Sequence, residues 1–199
     1  MVDYHKKNVR REPSYRLFTA FPLSTPIRLH VVSIIRELDT LLEGVRWVPP
    51  ENLHVTLRFI GDCEDAMIPD LVGAMQKAGK YLPLQLAVGG IGGFPSLGSA
   101  RVIWVGAQDR TDGVEKVYNV LDEEADKCGF GREGRQFTPH ITVGRARKRP
   151  VEIPQEIVER FREIKMALAA DEIVLFESTL TSAGAEYKRI KGIGRETTE

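Results

Sequence analysis

Two copies of one four-residue pattern, His54-Val55-Thr56-Leu57 and His140-Ile141-Thr142-Val143, stand 86 residues apart in a chain with only four histidines. Side chains alternate between the faces of a strand, so His54 and Thr56 share one face while Val55 and Leu57 point the other way into a core. His140 and Thr142 repeat that layout. With eleven threonines in 199 residues, the chance that two of the four histidines carry a threonine two places on is roughly 2% on composition alone. One isolated His-x-Thr reads as a buried strand histidine bonded to a neighbouring hydroxyl; the matched pair reads as chemistry. Two opposed imidazoles near neutral pH serve as base and acid on opposite sides of one reacting centre. That suits phosphodiester hydrolysis without a metal: one ring deprotonates an attacking water, the other protonates the leaving alkoxide, and the hydroxyls hold the non-bridging oxygens.

Arg145 lies five residues past His140, close enough to pair with a phosphate in the same cleft. Arg58, by strict alternation, shares the face of His54 and Thr56 and is expected to reach substrate. Arg147, Lys148 and Arg149 read as surface or as electrostatic guidance, and His5 and His30 have no comparable company. Zinc normally takes three or four protein ligands, and no His-Glu-x-x-His or acidic cluster accompanies the histidines, so no metal or cofactor is expected.

Composition narrows the rest. The chain carries 28 basic and 28 acidic residues, so nucleic-acid binding must come from local patches. Cys63 and Cys128 form no zinc or disulfide pattern and read as reduced structural thiols. The short apolar stretch at residues 17–23 is too brief for a secretory signal, and no segment approaches transmembrane length. A cytoplasmic monomer is expected, since neither heptads nor a self-complementary patch is legible.

The elements that must position the motifs follow from pattern. Residues 15–21 read as a strand; Ser24-Thr25-Pro26 opens a helix with apolar positions Ile27, Val31, Ile34, Ile35, Leu38, Leu41 and Leu42. Residues 45–48 look extended, and residues 53–60 form the first motif strand. Ile68, Leu71, Val72, Met75 and Ala78 mark a second helix. Strands at 84–88 and 101–105 flank a glycine-rich turn segment, residues 89–95, which lacks the Lys-Ser/Thr of a phosphate-binding P-loop. Asp112 is expected to cap a third helix ending at Gly129, the second motif strand follows, residues 154–165 give a fourth helix, and strands at 173–180 and 185–190 close the chain. Strands lacking an intervening helix favour antiparallel pairing in an α+β domain of two similar halves. One bilobal domain is expected over residues 14–192, with a tail at 1–13 and a frayed end at 193–199.

In Arg16-Leu17-Phe18-Thr19-Ala20, in residues 47–61 and 137–145 around the motifs, and in the hairpin of residues 178–187, the chain resembles the 2H phosphoesterase superfamily, named for its two His-x-Thr/Ser-x motifs. Within it the likeness is to the bacterial and archaeal RNA 2′,3′-cyclic phosphodiesterases, first described as 2′-5′ RNA ligases. The resemblance implies a duplicated, bilobal α+β fold, with two antiparallel sheets lining a central cleft and helices outside. It implies His54 as proton donor to the leaving 3′ oxygen, His140 as the base that activates water, and a 2′-phosphate product. Thr56 and Thr142 would bind the phosphate, with Arg145 helping. The implied partner is RNA ending in a 2′,3′-cyclic phosphate, and 2′-5′ ligation of RNA ends is microscopically related to the same chemistry. Two readings stay open: a nucleotide-binding module that holds AMP-like ligands without turnover, and a phosphodiesterase of small cyclic nucleotides.

Overall fold

The computed structural model describes residues 14–162, 166–182 and 184–194; the tail expected at 1–13 lies outside them. The chain runs β1 (Ser14–Pro22), α1 (Thr25–Asp39), β2 (Val45–Trp47), β3 (His54–Glu64), α2 (Ile68–Gly79), β4 (Leu84–Phe94), β5 (Val102–Asp109), α3 (Gly113–Lys127), β6 (His140–Ala146), α4 (Gln155–Arg160), β7 (Met166–Ala170), β8 (Glu172–Thr181) and β9 (Gly184–Gly194). Pro26 in the first turn presets α1, whose Ile27, Val31, Ile34, Ile35 and Leu38 are buried. Each such side chain contributes about 1.5–3 kcal/mol of hydrophobic stabilisation. The helix stops at Asp39, so Leu41, expected on its apolar stripe, is exposed instead.

Among the described residues all pairings are antiparallel, in the order β7-β4-β5-β6-β3-β1-β8-β9, with the short β2 paired to β6. The two sheets expected from the sequence are the two halves of this order. Among the described residues they join through one register pair, Val55 with Ile141, the core-facing residues that follow the two motif histidines. Continuing that register one step each way puts His54 across from Thr142 and Thr56 across from His140. A local two-fold axis therefore passes between the motifs.

The helices do not stay with the strands they follow. α1 comes directly after β1 yet packs on β2, β6 and β7; α3 comes directly after β5 yet packs on β3 and α2. α2 covers β8 and β9, and α4 covers β4. The core is continuous across both halves, with Phe21, Leu38, Val55, Met75, Val105, Ile141, Leu168 and Ile173 essentially inaccessible.

Five departures from the expected elements follow. The glycine-rich segment is not a turn but the second half of β4, paired with β5 through Phe94↔Val102. Gly90, at φ +72°, supplies a bulge there, and a Cβ on Gly92 would stand 2.0 Å from the Trp104 ring, which occupies the space of the missing side chain. Asp112 adopts left-handed backbone and makes no cap; Asp109 caps α3 instead, its Oδ2 accepting from the Val114 amide at 2.7 Å. The fourth helix is shorter than expected, ending at Arg160, with residues 163–165 outside the described set. β7 then forms an unexpected edge strand on β4. β9 continues through Gly194, with Ile193 opposite Ile173, beyond the expected end of the domain at 192.

Candidate active site

Both motif strands begin at their histidine. The inward residues are buried as alternation requires, with Val55, Leu57, Ile141 and Val143 all at 2% exposure or less. Each strand then carries a bulge at the same motif position. In β3, Thr56 and Arg58 pair with Ala20 and Thr19, leaving Leu57 without a register partner. In β6, Thr142 and Gly144 pair with Trp104 and Ile103, leaving Val143 without one. A bulge reverses the parity of the strand, so the fifth residue after each histidine, Phe59 or Arg145, faces the cleft and the fourth does not.

His54, Thr56, His140, Thr142 and Arg145 therefore line one cleft of about 310 Å³, joined by Asn52, Phe94, Thr138 and Tyr187 among others. The reading that suits an isolated His-x-Thr, a buried strand histidine bonded to its neighbour, does not account for two rings lining one cleft. Arg58 is the exception. Its guanidinium is buried, with Nε 2.8 Å from Asp122 Oδ1 and Nη1 3.3 Å from Glu133 Oε1. It also donates to the carbonyls of Phe59 and Gly131. The expected substrate contact is thus corrected: the Leu57 bulge turns Arg58 away from the cleft, and it ties residues 131–133 to β3 and α3. The Asp122 carboxylate completes that tie by accepting from the Glu133 amide.

The two histidines are anchored alike. His54 Nδ1 lies 2.7 Å from the Asn52 carbonyl oxygen and His140 Nδ1 lies 2.7 Å from the Thr138 carbonyl oxygen. A carbonyl only accepts, so Nδ1 carries a proton in both rings and Nε2 is the atom left for chemistry. They differ at that atom: Thr56 Oγ1 stands 2.9 Å from His54 Nε2. His54 is enclosed by Phe18 and Tyr187, with ring centroids at 4.9 and 5.4 Å. Phe94 sets its edge to His140 at 5.1 Å. Burial pushes the His54 imidazole down to about 4, the Asn52 hydrogen bond opposes the fall, and the charges of His140 and Arg145 add to it. Burial likewise lowers His140, with Arg145 reinforcing the shift and the bond to Thr138 opposing it. Among the described residues Arg145 has no carboxylate partner within 4 Å, so its charge is free for a ligand in the cleft. No group of three or more potential metal-binding side chains occurs among the described residues.

Sequence reasoning missed Phe59 and Tyr187. Phe59 sits one residue after the position that unbroken alternation selects. Tyr187 comes from β9, remote in sequence from both motifs, and the only signal that touches it is the resemblance of the hairpin over residues 178–187.

A duplicated frame that sets a His-Thr pair on either side of one cleft defines the two-histidine phosphoesterases. The family model "LigT like Phosphoesterase" matches twice, over residues 21–104 and 105–187. The chain belongs to this family of LigT-like phosphoesterases. It is 31% identical over 176 residues to the RNA 2′,3′-cyclic phosphodiesterase of Archaeoglobus fulgidus, covering 88% of this chain and 98% of that protein. The crystal structure of E. coli LigT in apo form aligns with a TM-score of 0.74 at 26% identity, over 92% of this chain and 98% of that one. E. coli LigT complexed with 3′-AMP aligns at 0.72 and 25% identity, over 92% and 99%.

Proposed function

We propose that this chain, an RNA 2′,3′-cyclic phosphodiesterase, opens the cyclic phosphate to a 2′-phosphomonoester by two-histidine acid–base catalysis. The observation that carries the reading is the matched anchoring of the two rings, which leaves both Nε2 atoms for one cleft. His140 Nε2 takes a proton from water as the oxygen attacks phosphorus. The P–O3′ bond breaks, and the proton on His54 Nε2 passes to the departing 3′ oxygen. The Thr56 and Thr142 hydroxyls donate to the non-bridging oxygens, and Arg145 offsets their charge. With a 5′-hydroxyl RNA end attacking phosphorus in place of water, the same groups, in the same ring-opening direction, join a 2′-5′ bond: His140 takes the hydroxyl proton, the P–O3′ bond breaks, and His54 protonates the 3′ oxygen. No step requires a metal or cofactor.

The complex of E. coli LigT with 3′-AMP supports a nucleotide-sized ligand. No helix among the described residues is long and apolar enough to cross a membrane. Cys63 and Cys128 are unpaired, which fits work in the reducing cytoplasm.

The test is incubation, with EDTA present, of an RNA oligomer ending in a 2′,3′-cyclic phosphate, beside His54→Ala and His140→Ala. A terminal 2′-phosphate formed by the wild type and lost by both variants, each about 10²–10⁴-fold slower, supports the mechanism. A 3′-phosphate reverses the assigned leaving group. An unopened ring leaves a nucleotide-binding module as the reading.

A further inference from the structure

A second groove, of about 580 Å³, runs beside the cleft and shares Phe59, Arg145 and Tyr187 with it. Its wall carries three arginines, Arg16 on β1, Arg46 on β2 and Arg145 on β6, and no acidic side chain. All three are exposed. Among the described residues none of them has a carboxylate within 4 Å, although acids and bases balance at 28 each over the whole chain. Asp62, opposite Arg16 in the β1–β3 register, is not an exception.

The relation of Arg46 to Arg145 is the stronger signal. They are register partners on the antiparallel pair β2–β6, so their side chains leave the same face as near neighbours. Like charges in that position repel and destabilise the pairing. An anion between or beside them removes the repulsion.

The groove is also apolar where a polar surface is expected. Of the four large hydrophobic side chains exposed among the described residues, Phe59 at 54% and Leu180 at 69% both line it. Cations along a rim with an exposed ring beside them are the chemistry that holds single-stranded nucleic acid: guanidinium groups take the phosphates and the ring takes a base.

We infer that this groove binds the penultimate nucleotide of an RNA strand whose last nucleotide occupies the cleft, with Arg46 and Arg16 on internucleotide phosphates and Phe59 stacked on a base. The inference rests on the cleft being the site of the RNA end. Arg145, common to both spaces, stands where the strand passes from one to the other. The preferred substrate is then an oligomer rather than a mononucleotide.

The test compares the equilibrium affinities of two uncleavable probes, a trinucleotide RNA ending in a 2′-phosphate and a nucleoside 2′-monophosphate. Both are measured on the full chain and on the Arg16→Ala, Arg46→Ala and double variants. The wild type is expected to bind the trinucleotide at least about tenfold more tightly at low salt. In the double variant that advantage should shrink to within about twofold, the salt dependence should flatten by about 1.4 units of log–log slope, and mononucleotide affinity should hold. Equal wild-type affinities, or equal weakening of both probes, overturns the groove assignment. So does an oligoglutamate peptide that competes as well as the trinucleotide. Turnover of a nucleoside 2′,3′-cyclic phosphate is scored separately. Ring opening without an oligomer advantage removes the groove and leaves the proposed function standing. No ring opening on mononucleotide or oligomer removes the proposed function, and the affinity ratio still decides the groove.

Discussion

Phe59 and Arg145 occupy equivalent positions, each five residues after its motif histidine and two after a bulge residue, and both face the same cleft. One half of the molecule thus supplies an exposed ring where the other supplies a charge. The duplicated backbone is symmetric while its chemistry is not, as a reaction with distinct acid and base requires.

The free His54 imidazole, held down at about 4, is neutral at pH 7, yet a proton donor must be charged. A phosphate in the cleft opposes the charge of Arg145 and favours the imidazolium. Binding inorganic phosphate or a nucleoside 2′-phosphate at pH 5.5–6 is therefore expected to draw a proton onto His54. NMR titration of the ring, or proton uptake in weak buffer with His54→Gln as control, measures it. A His54 that stays neutral with phosphate bound cannot be the donor.

The same shift bears on stability. With the folded value near 4 and the unfolded value at 6.5, the unfolded chain binds more protons between those limits, so stability rises with pH across the window and falls as pH drops through it. The difference amounts to as much as about 3 kcal/mol. Urea unfolding at pH 4.5 and 7.5 should show a smaller loss on acidification for His54→Asn than for the wild type; equal losses would assign the acid sensitivity elsewhere.

Arg58 and Asp122 are both nearly inaccessible, with side-chain exposures of 5% and 6%. Asp122→Ala takes the nearer carboxylate from a buried guanidinium that keeps Glu133 and two carbonyls, so it should cost about 1–3 kcal/mol, whereas Arg58→Met with Asp122→Leu should recover most of it. Because Arg58 holds the Gly131 carbonyl and Glu133, and Glu133 lines the cleft, the Asp122→Ala variant should also show a raised KM where it remains folded. An unfolding midpoint unchanged in Asp122→Ala would refute the tie.

Gly92→Ala would drive a methyl into the Trp104 ring, whose near atoms lie 2.0–2.4 Å from the ideal Cβ. Overpacking of this kind costs about 1–3 kcal/mol. Trp104 stands 6.0 Å from the His140 ring, so kcat should fall in the same variant. Gly90→Ala, strained at positive φ but with open space around it, should lose stability without that fall.

What was legible in the sequence was whatever follows from side-chain alternation and helical period: the two motif faces, the apolar stripes, the doubled order of elements. Arg58 was misplaced because alternation holds only until a residue is inserted, and nothing in Thr56-Leu57-Arg58 announces the bulge. The same insertion after Thr142 is what brings Arg145, at an odd spacing from His140, onto the cleft. Residues 89–94 hid a strand because glycines carry no side chain to alternate. Met166–Ala170 hid another, since Met, Ala and Leu favour helix and only pairing with β4 makes them extended.

The exchange of helices between the sheets makes the two copies inseparable. A polypeptide ending inside β5, where the first repeat gives way to the second, would carry a helix with no sheet to rest on and a sheet with no helix to cover it. Each copy holds what the other lacks, so the layers close only when both are present and the molecule stands or falls as a whole.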